Sequence, residues 1–151
     1  VCSSDLKMLH LPDGLSQDSL HMLMTCEPQI KEIGDLISRT DVLLFGIGTA
    51  MRMADQRHIA DDVRKQLVDN HAVGEALGQY CDIDGKLIYS TNNIGLSLPD
   101  VAKIPNVIAV AGGQDKSSAI IGVMRACQKG ILIIDEQAAE GMRQLLQISA
   151  L

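Results

Sequence analysis

The sequence predicts an α/β domain, a three-layer and mainly parallel sheet with helices on both faces. Two observations predict it. Apolar runs of strand length alternate with helical patterns from Asp41 onward, the signature of strands joined by helical crossovers. The composition also fits, because 46% of the 151 residues are hydrophobic but only 2% aromatic. A core must therefore be assembled from Leu, Ile, Val, Ala and Met, which suits parallel strands covered by helices. The length suffices for one domain with a real interior.

Taken in order, Lys7–Leu11 (KMLHL) reads as a short strand stopped by the turn Pro12-Asp13-Gly14. Ser16 is placed to cap a helix containing Leu20, Met22, Leu23 and Met24. Glu27-Pro28 opens a second helix with a one-sided stripe of Ile30, Ile33, Leu36 and Ile37. Asp41–Phe45 is a buried-type strand followed by Gly46-Ile47-Gly48. Helices follow around Met51–Ala54 and over Asp61–Val68. Val73–Cys81 and Leu87–Ser90 read as two strands about the turn Asp82-Ile83-Asp84-Gly85. Ser97 and Pro99 start a short helix that ends before Pro105. Val107–Ala111 is a strand, Asp115–Gln128 a helix, Ile131–Ile134 a strand and Glu136–Ile148 the last helix. Ligands of such sheets gather at the carboxyl ends of the strands, here Gly46–Ala50, Gly112–Lys116 and Asp135-Glu136.

Several classes of function are disfavoured. A net charge of −6 gives this chain no electrostatic footprint for DNA. The scarcity of aromatics argues against binding single-stranded nucleic acid. Cys2, Cys26, Cys81 and Cys127 form no CxxC pair and suggest reduced thiols. His10, His21, His58 and His71 show no metal-ligand spacing, so neither a metal nor a cofactor is expected. No apolar run approaches the roughly 18 residues needed to span a bilayer, and no signal peptide is visible. A cytoplasmic protein is expected. Val1–Leu6 (VCSSDL) is similar to translated sequencing-adapter remnants, so residues 1–6 are set apart from the fold.

The chemistry concentrates in Ile108–Lys116, IAVAGGQDK. A strand runs into Gly112 and Gly113, which let the backbone approach a ligand, and then into a helix whose first N–H groups attract anions. Lys116 lies in that first turn, where the helix dipole disfavours a cation and a bound phosphate would reverse the cost. The competing reading is a glycine turn with a solvated lysine and a helix capped by Gln114 or Asp115. Gly46, Gly48 and Thr49 repeat the geometry after another strand, and the Thr49 hydroxyl serves either a sugar or the next helix. Arg52 and Arg57 are surface charges unless a pocket holds them. Glu75 sits in the apolar stretch Ala72–Gly78 and, if buried, requires partners from a sugar or from the protein. No nucleophile elbow or nucleophile–base pair is visible.

The segments LPDGLS (11–16), EPQIKE (27–32), GIGTAMRMADQR (46–57), AVGEALGQYCDIDGKLIYS (72–90), IPNVIAVAGGQDKSSAI (104–120) and LIIDEQAA (132–139) together resemble the effector-binding domain of SorC-type sugar-responsive regulators. The resemblance runs in order from Lys7 to Leu146 and is narrowest to members that repress glycolytic genes. It implies a fold related to ribose-5-phosphate isomerase and glucosamine-6-phosphate deaminase. It further implies no catalysis, and an effector such as fructose-1,6-bisphosphate that alters homo-oligomer contacts and operator binding. Lys116 falls on the family's phosphate-contacting lysine in GGxxK, and Glu75 on the glutamate that contacts sugar hydroxyls. Gly46–Ala50 falls on the second glycine loop. Gln56 stands where the family has an arginine that contacts phosphate, so a second phosphate would depend on Arg57 or Arg52.

Residues 7–151 would then be the C-terminal part of the effector domain. The family's first strands, a Gly-Thr-Thr phosphate loop and the DNA-binding helix-turn-helix would lie upstream. A sheet without those strands exposes an edge and an apolar face, so this chain is expected to be unstable or to aggregate by itself. The alternative is a sugar-phosphate isomerase or deaminase on the same fold, with Glu75 as the only credible base.

Overall fold

The computed structural model describes residues 6–12 and 14–148. It begins with two helices, α1 (Gln17–Cys26) and α2 (Pro28–Ile37). Ser16 caps α1 by accepting the Ser19 N–H at 3.1 Å. Pro28 opens α2, where its missing N–H is no loss. β1 (Val42–Gly46) passes through Ile47 into the two-residue β2 (Gly48–Thr49), then α3 (Ala50–Gln56) and α4 (Asp61–Asp69). β3 (Gly74–Ala76), β4 (Gln79–Cys81) and β5 (Leu87–Ser90) follow. A capping box between Ser97 and Asp100 starts the short α5 (Leu98–Val101). β6 (Asn106–Ala111), a 3-10 turn over Gln114–Lys116, α6 (Ser117–Cys127), β7 (Ile131–Ile134) and α7 (Glu136–Ile148) complete the order.

The strands form two sheets. β1, β6 and β7 make a parallel sheet with β6 in the middle, as alternation of strands and helices predicts. β2 to β5 make a separate antiparallel sheet in sequence order. Alternation of side chains across each sheet decides what is buried. In the parallel sheet Phe45, Val107, Ala109 and Ala111 point into one core with Ile120 and Val123 of α6 and Ala138 of α7. In the antiparallel sheet Ala76 and Cys81 join that core, while Tyr80 turns the other way to pack with Ala50, Ala54 and Leu67 of α3 and α4. β3 and β4 are therefore buried at every residue.

Helices thus cover both faces of the antiparallel sheet but, among the described residues, only one face of the parallel sheet. Its other face carries Val42, Leu44, Val110, Ile131 and Ile133, all exposed. Register places Leu44, Ile108 and Ile131 in one row and Gly46, Val110 and Ile133 in the next. This face is apolar and uncovered among the described residues.

Three local expectations are corrected. Lys7–Leu11 forms no strand: it pairs with no neighbour, and an isolated strand has no ladder to stabilise it. Val73–Cys81 is a hairpin, β3 and β4, because Leu77 and Gly78 both take positive φ (55° and 77°) and reverse the chain. The helix expected from Asp115 begins with the 3-10 turn, and α6 proper starts at Ser117. Residues 1–5, within the segment set apart as a remnant, and Asp13 of the expected turn lie outside the described residues.

α6 is buried almost all round, and its glycine is there for clearance. A β-carbon on Gly122 would collide with the Asp82 carbonyl oxygen in the β4–β5 turn and lie 2.9 Å from Val73 Cγ2. Gly122→Ala should therefore destabilise the fold by about 1–3 kcal/mol through overpacking, read as a lower urea midpoint. A midpoint equal to wild type would mean the turn yields freely.

Candidate functional site

The carboxyl ends of β1 and β6 open on a cavity of about 460 Å³, within the usual range for small-molecule sites. Its floor is Phe45, Gly46, Ile47 and Gly48, and Val110 closes the side toward β6. Gly46, Gly48, Thr49, Arg57, Glu75 and Lys116, widely separated in sequence, all line it. Arg52 and Gln56 line it too, from the exposed side of α3.

Thr49 occupies the N-cap position of α3, yet its side chain makes no capping hydrogen bond. Thr49 is among the residues that line the cavity. Glu75 is only 3% exposed. It lies opposite Gly48 in the β2–β3 pairing and on the same side of the sheet as Tyr80. Its Oε1 accepts the Gly78 N–H at 2.7 Å and lies 3.3 Å from the Arg57 guanidinium. The protein itself thus supplies partners for this carboxylate, which fixes it at the cavity wall. Arg57, the C-cap of α3, is correspondingly held over the pocket.

Lys116 is half-buried, and among the described residues no carboxylate lies within ion-pair distance of it. α6 begins immediately after it without a side-chain cap, so neither Gln114 nor Asp115 caps that helix. Three cations, Arg52, Arg57 and Lys116, therefore face the cavity against one carboxylate, and Arg57 alone is paired with it. The arrangement suits an anionic ligand with hydroxyl groups.

Gly112 and Gly113 do not line the cavity. The Gly113 N–H donates to Asp135 Oδ2 at 2.8 Å, which turns this part of the loop toward α7. Arg52 entered the pocket through helical spacing, since α3 places it near Gln56 on one face.

A larger cavity, about 660 Å³, lies between the α1–α2 pair and the segment from Asn93 to Ile104. Its lysine, Lys103, is paired with Asp100 at 2.8 Å, and none of the predicted ligand residues reaches it. No cluster of three metal-binding side chains exists among the described residues. Burial pushes the Cys81 thiol up to about 12, with nearby Asp82, Cys127 and Glu75 adding to it, and burial pushes Cys127 up to about 11. Both are core thiols, protonated and unreactive near neutrality. No helix among the described residues is long and apolar enough to cross a membrane.

Comparison with known proteins identifies the family to which the fold belongs. A family model described as "Putative sugar-binding domain" matches residues 2–144. The chain is 36% identical over 138 residues to the central glycolytic genes regulator of Bacillus subtilis (strain 168), covering 91% of this chain and 40% of that protein. It is 37% identical over 137 residues to the regulator of the same name from Priestia megaterium, with the same coverage. The chain thus spans about 40% of the length of these relatives. Among solved structures, the "putative SorC family transcriptional regulator" of Enterococcus faecalis superposes with a TM-score of 0.81 at 38% identity. That match covers 89% of this chain and 55% of the other. The fold and the family model lead to the same place: this chain belongs to the sugar-binding domain family of SorC-type transcriptional regulators.

Proposed function

We propose that the chain is part of the effector-sensing domain of a bacterial repressor of glycolytic genes. In this reading it binds a phosphorylated sugar, fructose-1,6-bisphosphate or a close analogue, and thereby modulates oligomerisation and DNA binding. The observation that carries the reading is the convergence of Lys116, Arg57 and Arg52 on one cavity whose wall holds the buried Glu75. Lys116 serves as the phosphate cation, Thr49 and Glu75 face the sugar hydroxyls, and Gly46 and Gly48 keep the floor clear. Operator DNA would be bound by another region of the protein, since this chain has a net charge of −6. The device is linkage rather than chemistry: an effector that binds one conformer better shifts the equilibrium by its differential affinity.

Calorimetry of the full-length protein against fructose-1,6-bisphosphate, fructose-6-phosphate, glucosamine-6-phosphate and inorganic phosphate tests this. Lys116→Ala should weaken binding of the preferred sugar phosphate about 10- to 100-fold, the loss expected for one charge-assisted contact. Equal affinity in the variant would sink the assignment. Turnover of any of these sugars, abolished by Glu75→Gln, would instead make the protein an enzyme.

A further inference from the structure

Asp135 lies outside the cavity, at the end of β7, and yet it touches the element that carries Lys116. Its carboxylate takes two backbone N–H groups. Oδ2 accepts from Gly113 at 2.8 Å, and Oδ1 accepts from Ala138, in the first turn of α7, also at 2.8 Å. The fit is close on both sides. A β-carbon on Gly112 would come within 2.7 Å of Asp135 Oδ2. Further along, Ser117 Oγ donates to the Gln114 carbonyl at 2.7 Å and lies 3.3 Å from that of Ala138. Gly141 of α7 has no side chain, and a β-carbon there would strike Ser117 Oγ. The turn from Gly112 to Ser117 is thus fastened to α7 at Asp135, at Ala138 and at Gly141.

We propose that Asp135 is a positioning residue for the pocket: its carboxylate anchors the Lys116 turn to α7, so that the lysine and the helix move as one body. Among the described residues, this is the one carboxylate that ties the turn to α7; the Ser117 hydroxyl makes the weaker contact, 3.3 Å from the Ala138 carbonyl. The Lys116 N–H reaches back to the Gly113 carbonyl at 3.2 Å, so the residue that Asp135 holds is the one that closes the lysine's own turn. An ordinary helix cap would need only the bond to Ala138. The second oxygen is the informative one, because it serves a residue 22 positions upstream. The significance for ligand binding rests on the reading of Lys116 as the phosphate cation; the anchor itself does not.

The test separates the two oxygens. Asp135→Asn keeps one acceptor for two donors, and Asp135→Ser keeps an N-cap but is too short to reach Gly113 as well. In the full-length protein without ligand, the rate of Lys116 acylation by an N-hydroxysuccinimide ester is followed by peptide mass spectrometry. The exposed Lys103 serves as internal standard, and hydrogen exchange over α7 is recorded alongside. In both variants Lys116 should react roughly tenfold faster or more, the factor by which losing a charge-assisted hydrogen bond moves a local opening equilibrium. α7 in the serine variant should keep its wild-type protection. Unchanged Lys116 reactivity in folded variants would reduce Asp135 to a helix cap and overturn the proposal, as would global unfolding of both. No ligand is present, so a wild-type protein that binds no phosphorylated sugar would overturn the effector reading alone.

Discussion

Glu75→Ala is expected to destabilise the protein by about 3 kcal/mol, the lower end for breaking a buried ion pair, and so to lower its melting temperature by roughly ten degrees. The Glu75 carboxylate is buried, but the Arg57 side chain retains 26% exposure. Water therefore screens part of their attraction, and the full penalty of a stranded interior charge does not apply. The remainder comes from Gly78, whose N–H loses its 2.7 Å acceptor in a buried turn. That turn is already demanding, because Leu77 holds φ at 55°, a region where a side chain is disfavoured. Glu75→Gln separates the contributions. It can still accept the Gly78 N–H but offers no charge to Arg57, so its cost should be about half. Urea unfolding with an unchanged m-value is the measurement. An alanine variant within about 0.5 kcal/mol of wild type, the range of ordinary surface substitutions, would show that Glu75 holds neither partner in place.

The second large effect concerns association. The bare face of the parallel sheet presents Leu44 at 67% exposure, Ile131 at 64%, Val42 at 58% and Ile133 at 52%. Burying a side chain of this kind is worth about 1.5–3 kcal/mol. The 151-residue chain should therefore self-associate at micromolar concentrations, and Leu44→Lys combined with Ile133→Glu should weaken that association by roughly a hundredfold or more. Neither residue is part of the core, so the melting temperature should not fall. Size-exclusion chromatography with light scattering reads the outcome. A monodisperse wild-type monomer would contradict the expectation, and so would a double variant that associates as strongly.

Much of this fold was legible in the sequence because its signals are local. The Ser16 cap, Pro28 at the start of α2, the aliphatic strand Ile131–Ile134 and the full extent of α7 all follow from short patterns. The hairpin inside Val73–Cys81 did not, because its turn is Leu77-Gly78, with no Asn or Asp to announce a positive φ. Nor did the division into two sheets, which depends on Ile47 leaving one ladder and Gly48 joining another. The candidate site divides the same way. Lys116 and Glu75 stood out as charges in improbable places, and family resemblance gave them roles. Gly112 and Gly113 suggested open N–H groups, but Asp135 claims one of them, and no spacing rule links residues 113 and 135.

The crossover at Ile47 has a mechanical consequence. Its N–H still bonds to Val110 in the parallel sheet at 3.2 Å, while the next residue already pairs opposite Glu75 in the antiparallel one. The cavity floor is thus a joint between two plates, with Lys116 mounted on one and Arg57 on the other. On the proposed reading, a ligand gripped at both ends would act as a strut across that joint. Span would then count in the choice of ligand alongside hydroxyl pattern.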